Sequence, residues 1–327
     1  MHLNELPEPL ISLALKCVED GGIPFNRYLR DSDLALRRRI AAHYGLTEEN
    51  VMLEAGADGG LRLCFQWCCH QSQTVWIPDP SYTGFRQIMK AVGCRSREYR
   101  VVDAELNVLE IDPGIPESDP LVVCNPNNPF GHIEPNFSPK LSDRAGITIF
   151  DEAYGEFAGD SPAIRMIREN RPNVVVIRTF SKAFGAAGIR LGYLLGSSAI
   201  LKSLEDYQMP YPVSCLAVAA GLHLWDVIGQ LDHVVSSARR RREELERNLQ
   251  SVGFRIIQTY PNVTSFFSCL PPPPLEARPF VSRLSEKRCK VHLVPGGSAP
   301  DLIRFNAGSD EENRTLFSRL RELLASW

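Results

Sequence analysis

The sequence predicts an α/β fold in which a mostly parallel sheet lies between helices, followed by a small α+β domain at the C-terminal end. Short apolar runs, typical of buried strands, alternate along the chain with longer helical patterns. Polar residues directly follow several of these runs, as in open parallel sheets, where ligands bind at the carboxyl ends of strands. After the stiff proline run 271–274, short strands and helices alternate again, which indicates a second, smaller unit.

The first part of the chain predicts helices and strands separated by turn residues. An arginine run at 37–39 is interpreted as the solvated face of a helix. The glycine-rich turn 56–60 is expected to open a helix. The predicted helices cover 10–18, 33–44, the stretch from the glycine turn to 67, and 81–92, and the predicted strands cover 51–53 and 74–77.

The second part predicts more strands, then one long helical pattern over 214–252. Strands are predicted at 121–124, 147–150, 174–177, 191–196, 255–257, 265–269, 290–294 and 302–306, and helices at 279–288 and 311–325. We therefore expect an N-terminal segment over 1–28, a large domain over 29–235 and a small domain over 236–327.

Composition and net charge argue against several classes of protein, including nucleic-acid-binding, membrane and disulfide-rich secreted proteins. A net charge of −3 on 327 residues gives no general attraction to nucleic acid or to anionic membranes. No apolar run reaches the roughly 18 residues that span a bilayer, and no signal peptide is evident, so a cytoplasmic location is expected. Nine cysteines are too sparse for a disulfide framework. No metal site is expected at 68–70, where adjacent cysteines lack ligand spacing.

The segment 178–190 carries the strongest chemical signal. It follows the apolar run 174–177, and a lysine there is poorly hydrated, so the amine of Lys182 is nucleophilic and can form a Schiff base with an aldehyde. Thr179, Ser181 and Arg190 are suited to binding a phosphate beside it. Pyridoxal phosphate has both groups. The alternative is an ordinary surface lysine in a glycine-rich loop.

Three other features are weaker individually. The turn 56–60 opens a helix, whose free amides suit a phosphate. Tyr82 follows a strand end and either stacks on a heterocycle or packs in the core. Asp151 ends a strand and is either a site acid or a helix N-cap.

Four segments in order resemble the motifs of fold-type I pyridoxal-phosphate enzymes, most closely the histidinol-phosphate aminotransferase branch and its threonine-phosphate decarboxylase relatives. Residues 128–131 match Asn-Pro-x-Gly, and residues 151–154 match Asp-x-Ala-Tyr. Ser181-Lys182 followed by Arg190 matches the lysine segment, and 304–308 resembles the carboxylate-binding segment. The resemblance covers nearly the whole chain. It implies a large domain with a mostly parallel seven-stranded sheet, and pyridoxal phosphate as cofactor.

The resemblance also implies roles for individual residues. Lys182 carries the aldimine and moves the proton, and Asp151 faces the pyridine nitrogen. Asn128 and Tyr154 hydrogen-bond the phenolate oxygen, and Tyr82 stacks on the ring. The residues implied to hold the phosphate are Gly56, Ala57, Asp58, Thr179, Ser181 and Arg190.

On the substrate side, the resemblance implies that Arg304 grips a carboxylate in bidentate fashion and that Asn128 lies close to the substrate. Tyr28 resembles a tyrosine that reaches the cofactor phosphate in the neighbouring subunit, close to the substrate there. A homodimer with shared active sites is therefore expected.

Departures from the family pattern lie on the substrate side. Gly59 stands where a glutamate is common, Val294 stands where relatives usually carry an arginine, and the N-terminal arm is short. We expect an aminotransferase acting between an amino acid or amino alcohol and a 2-oxo acid, as a specialised biosynthetic enzyme. The alternatives are a decarboxylase, a lyase or a carbon–carbon bond-forming enzyme with the same cofactor, or a binding protein that has kept the fold.

Overall fold

The computed structural model describes residues 3–7, 26, 28, 32–112, 114–134, 141, 144–257, 262–296 and 300–326. The predicted helix over 10–18 lies outside this range. The helices are α1 (Ser32–His43), α2 (Gly56–His70), α3 (Gly84–Val92), α4 (Gly155–Ala158), α5 (Pro162–Arg168), α6 (Ser198–Glu205), α7 (Cys215–Asp226), α8 (Leu231–Ser251), α9 (Ala277–Glu286) and α10 (Asp310–Ala325). The strands are β1 (Val51–Glu54), β2 (Thr74–Asp79), β3 (Arg95–Arg100), β4 (Leu121–Cys124), β5 (Thr148–Asp151), β6 (Val174–Thr179), β7 (Gly192–Gly196), β8 (Arg255–Ile256), β9 (Phe266–Leu270), β10 (His292–Val294) and β11 (Leu302–Asn306).

A seven-stranded sheet forms the centre of the molecule, in the order β1-β7-β6-β5-β4-β2-β3. The five strands from β6 to β3 run parallel to their neighbours, and β7 is antiparallel to both β6 and β1. The predicted fold class is confirmed. The order brings the carboxyl ends of β2, β4, β5 and β6 to one edge of the sheet.

Burial on both faces explains why the central strands carry runs of consecutive apolar residues. Alternate residues of β6 point to opposite sides, so Val174 and Val176 join one hydrophobic core while Val175 and Ile177 join another. The first core includes residues of α1, α5 and α7, and the second includes residues of α2, α3 and α6. Helices therefore cover the sheet on both sides.

Several elements differ from the predictions, among them the short helices α4, α5 and α6, which were not predicted. β3 was not predicted because all its residues except Tyr99 are exposed and most are charged, as suits the outer edge of a sheet. The predicted helix over 214–252 is two helices, since a short 3₁₀ turn at Ile228–Gln230 separates α7 from α8. Apolar periodicity resumes after the turn, so the break is hard to read from the sequence.

The C-terminal part contains an antiparallel four-stranded sheet in the order β10-β11-β9-β8. Residues of α8, α9 and α10 pack on it in a separate core that includes Phe267, Phe280 and Phe305. The domain boundary after residue 235 stays a prediction, and it falls inside α8. Within the described ranges, no helix is long and apolar enough to cross a membrane.

Candidate active site

A cleft of about 940 Å³ opens at the carboxyl edge of the large sheet. Its walls come from the large sheet, from the small sheet and from the N-terminal residues Leu3, Asn4 and Glu5. Eleven of the residues predicted for the site line this one cleft: Ala57, Asp58, Tyr82, Asn128, Asp151, Tyr154, Thr179, Ser181, Lys182, Arg190 and Arg304.

Asp151 is the last residue of β5 and lies at the floor of the cleft. One carboxyl oxygen accepts a hydrogen bond of 3.1 Å from the backbone N–H of Ala153. The carboxyl group is buried, and this loss of hydration raises its pKa to about 7. A cationic N–H donor facing Asp151 would offset the cost of burying the carboxylate.

Lys182 lies in the loop after β6, beside Asp151. Its Nζ donates a hydrogen bond of 2.9 Å to the backbone carbonyl of Leu3 and lies 5.6 Å from the centre of the Tyr154 ring. The positive charge of Lys182 counteracts part of the burial effect on the pKa of Asp151. An amine and a buried acid thus share one cleft.

The N-terminus of α2 and the loop after β6 form the end of the cleft predicted to bind a phosphate. Gly56 has a φ of +74°, and a Cβ there would come within 2.7 Å of the Arg190 guanidinium. Arg190 lies 3.4 Å from Asp58 and 3.5 Å from the Ser181 hydroxyl, which in turn accepts from Thr179 at 2.9 Å. Gly56 shapes this end without lining the cleft itself.

The aromatic wall is held by hydrogen bonds. Tyr82 donates to the Asp58 carboxylate at 2.9 Å, and burial raises the pKa of its phenol. Tyr154 is buried and accepts a hydrogen bond of 2.8 Å from the side-chain amide of Asn4. Its ring packs edge-on against Phe266, with the ring centres 4.9 Å apart.

Arg304 on β11 is a buried cation in the wall that the small sheet contributes to the cleft. It donates to the side-chain oxygen of Asn128 at 2.5 Å, and its guanidinium lies 5.5 Å from the centre of the Phe266 ring. Burial lowers its pKa, yet the group is still cationic at neutral pH. His292 on β10 is paired with Arg304 in the strand register, and both line the cleft.

A buried ion-pair network underlies the site. Arg178 donates to one oxygen of Glu152 at 2.7 and 3.0 Å, and lies 3.5 Å from Glu156. It also donates to Tyr44 at 3.1 Å. Glu152 follows Asp151 and Arg178 precedes Thr179, so the pair links the two strand ends that carry the predicted site residues.

Tyr28, which was predicted for the site, and Gly59, which departs from the family pattern, are not among the residues that line the cleft. Tyr28 does not line this cleft; it is 72% exposed and stacks on Tyr211 with ring centres 4.1 Å apart. At Gly59 a Cβ would lie 2.7 Å from the buried Glu54 carboxylate, so Glu54 fills the space of the missing side chain. Val294 lines the cleft on the same strand face as His292.

Sequence reasoning did not identify Asn4, His292 or the Arg178–Glu152 pair as parts of the site. Asn4 is distant in sequence from every residue that was predicted for the site, and His292 stands in a short strand without a recognisable motif. Glu152 and Arg178 could have been suspected, because each directly adjoins a predicted site residue in an otherwise apolar stretch.

The residues present fit pyridoxal phosphate. Because Gly56 has no side chain, the Arg190 guanidinium can lie close to the start of α2. Ser181 and Thr179 supply hydroxyl groups beside Arg190. Asp151, whose burial favours a cationic partner, suits a protonated ring nitrogen, and Lys182 supplies an amine for the aldehyde.

Comparisons with known proteins agree on one family. The family model for aminotransferase class I and II matches residues 9–320. The histidinol-phosphate aminotransferase of Gloeobacter violaceus is 30% identical, over 99% of this chain and 91% of that protein. Histidinol-phosphate aminotransferase 1 of Nostoc sp. is 27% identical, over 100% of this chain and 91% of that protein.

A solved structure shares the fold. Histidinol-phosphate aminotransferase from Sinorhizobium meliloti, in complex with pyridoxal-5'-phosphate, superposes with a TM-score of 0.82. It is 22% identical, with 99% of this chain and 90% of that chain covered. At this identity the likeness concerns the fold alone.

Proposed function

The chain belongs to the aminotransferase class I and II family, and on that basis we propose its reaction and the roles of its residues. The protein is a pyridoxal-phosphate-dependent aminotransferase. The reaction we propose transfers an amino group between an amino acid, or an amino alcohol, and a 2-oxo acid. When bound, the cofactor supplies an aldehyde that condenses with amines and a ring that accepts electrons from the substrate Cα.

The protein's own groups divide the remaining work. Lys182 is the base that removes a proton from Cα and the acid that returns it elsewhere. Asp151 holds a proton on the ring nitrogen, and its burial strengthens that ion pair because little water competes for the carboxylate. Asn128 and Tyr154 would hydrogen-bond the phenolate oxygen of the cofactor.

The observation that supports the substrate class is the position of Arg304. Its guanidinium is buried in the cleft that also contains Lys182, with an amide oxygen of Asn128 as a neutral neighbour. A buried guanidinium presents paired N–H donors that match a carboxylate in geometry and charge. We therefore propose a substrate that carries a carboxylate, as an amino acid and a 2-oxo acid both do.

Exchange of Arg304 tests the proposal. The purified holoenzyme is incubated with an amino acid and 2-oxoglutarate, and the new 2-oxo acid is measured. Arg304→Lys keeps the charge but removes the bidentate geometry, so kcat/KM should fall about 10- to 100-fold, mainly through KM. Arg278→Lys is the matched control, since Arg278 is an exposed arginine paired with Asp301 on the surface.

Unchanged turnover of the carboxylate substrate by Arg304→Lys would contradict the assignment. Release of carbon dioxide without a 2-oxo acid would instead favour the decarboxylase alternative. Transamination of an amino alcohol in preference to every amino acid would assign Arg304 to the carboxylate of the 2-oxo acid alone.

We also propose that the protein is a cytoplasmic homodimer in which Tyr28 acts in the cleft of the partner subunit. Tyr28 and Tyr211 form an exposed stacked pair, and Met209 nearby in sequence is 62% exposed. Large apolar side chains grouped at a surface are typical of protein interfaces.

A further inference from the structure

The N-terminal residues Leu3, Asn4 and Glu5 form one wall of the cleft and are anchored on both sides of it. The backbone carbonyl of Leu3 accepts a hydrogen bond from Lys182 at 2.9 Å. The backbone carbonyl of Glu5 accepts one from Asn306 on β11 at 3.0 Å. The segment therefore touches the predicted catalytic lysine at one end and the small sheet at the other.

Asn4 lies between these anchors and is 2% exposed. Its φ of +54° falls in the left-handed region, which asparagine tolerates better than most residues. Its Nδ2 donates a hydrogen bond of 2.8 Å to the hydroxyl oxygen of Tyr154. Its Oδ1 is buried and has no hydrogen-bond partner among the described residues, so the amide's hydrogen bond within that part of the chain is the one to Tyr154.

The direction of this hydrogen bond matters. A phenol oxygen that accepts a proton from an amide still has its own proton to donate, and that proton must point away from the amide. Without the amide, the hydroxyl group could rotate and direct its proton to other acceptors. To donate a hydrogen bond to a phenolate oxygen in the cleft, Tyr154 must point its hydroxyl proton into the cleft.

We propose that Asn4 is a positioning residue, which fixes the Tyr154 hydroxyl group so that its proton is directed into the cleft. The inference rests on the role of Tyr154 in the proposed function. Under this proposal the N-terminal segment forms one wall of the cleft and also, through the Asn4 side chain, orients a group of the cofactor site.

A double-mutant cycle tests the proposal, because two residues that act through one hydrogen bond give non-additive effects. The variants are Asn4→Gly, Tyr154→Phe and the double mutant. Glycine is chosen because it keeps the positive φ without strain. The readouts are the affinity of the apoprotein for pyridoxal phosphate, measured by spectroscopic titration, kcat and KM of the holoenzyme, and the thermal midpoint of the apoprotein.

We expect Asn4→Gly to weaken cofactor affinity about 3- to 10-fold and to lower kcat more than it raises KM. In the Tyr154→Phe background, the same change should alter the affinity less than about 2-fold. Asn170→Gly is the matched control: Asn170 is exposed, has a φ of +60° and does not line the cleft, so it should change neither the cofactor affinity nor kcat.

A second variant covers the case in which Asn4→Gly yields no folded protein. Asn4→Asp tolerates the same backbone but accepts the Tyr154 proton, which reverses the hydrogen bond, so it should lower affinity at least as much. Additive effects in the cycle would overturn the inference while leaving the role of Tyr154 intact. If Tyr154→Phe alone changed neither affinity nor kcat, both the inference and the proposed role of Tyr154 would fail.

Discussion

The pKa of the Asp151 carboxyl group is set by the position of that residue in the fold. Asp151 has an ordinary side chain, yet burial at the end of β5 raises its pKa to about 7, well above the value of 3.8 for an exposed aspartate. Nearby Asp58 and Glu152 raise the pKa further, while the Ala153 N–H and Lys182 lower it. The folded apoprotein therefore holds the Asp151 proton more tightly than the unfolded chain does.

This difference predicts a pH dependence of apoprotein stability. Between about pH 4 and pH 7 the folded state binds a proton at Asp151 that the unfolded state has lost, so the contribution of Asp151 to the unfolding free energy falls as pH rises through that window. Asp151→Asn cannot titrate and should lack this contribution. Urea unfolding of both apoproteins at pH 5 and pH 8 measures it, and an equal pH dependence in the two would contradict the prediction.

At the scale of elements, the cleft depends on where strands and helices end. β4, β5 and β6 are neighbours, so the residues after each strand meet although they are far apart in the sequence. The buried Arg178–Glu152 pair ties the ends of β5 and β6, and breaking a pair of this kind typically costs about 3–5 kcal/mol. The N-terminus of α2 adds backbone amides at the same edge, with Gly56 at the first turn.

The start of α2 gives a matched pair of glycine substitutions. Gly56→Ala strains a backbone at φ +74° and places a Cβ 2.7 Å from Arg190, so it should weaken pyridoxal phosphate binding more than about tenfold by displacing that arginine. Gly93→Ala has nearly the same φ, +73°, with no atom within 4 Å of the new Cβ. Both variants should lose about 1–2 kcal/mol of stability from the left-handed backbone. Titration of each apoprotein separates the effects, and equal loss of affinity would refute the role of Arg190.

At the scale of the whole molecule, the cleft combines three parts of the chain. The large sheet provides Lys182 and Asp151, the small sheet provides Arg304, and the N-terminal residues close one wall. The proposed dimer would add Tyr28, which stacks on Tyr211 on the surface of this subunit. In the proposed dimer, the Tyr28–Tyr211 pair would therefore lie at the contact between the two subunits.

The dimer predicts an effect of charge at the exposed pair. Tyr211 is 60% exposed, so Tyr211→Glu should leave the fold of one subunit unchanged while burying an unpaired charge at the subunit contact. The dissociation constant of the dimer should rise at least about tenfold, and activity should fall with dilution. Sedimentation at several concentrations measures the change, with Gln250→Glu, which adds the same charge at an exposed position of α8, as control; a monomeric wild-type protein would refute the proposal.

Most of the architecture was predictable because its signals are local. Strands β4, β5, β6 and β7 are buried throughout, and all four were predicted near their observed bounds, since burial on both faces favours runs of apolar residues. β3 escaped prediction because an exposed edge strand needs no apolar pattern. The break before α8 escaped because both flanking helices keep helical periodicity.

Local sequence suffices to predict the strand ends and to mark Lys182 and Asp151 as candidates there, because reactive residue types next to buried strands leave a pattern within a few positions. The contact of Asn4 with Tyr154, the pairing of His292 with Arg304 and the raised pKa of Asp151 leave no such pattern. Each depends on groups distant in the chain, and on burial that exists after the sheets and the N-terminal segment have packed together. Hydrogen-bond geometry and dielectric environment are properties of that packing, so the folded molecule was needed to reveal them.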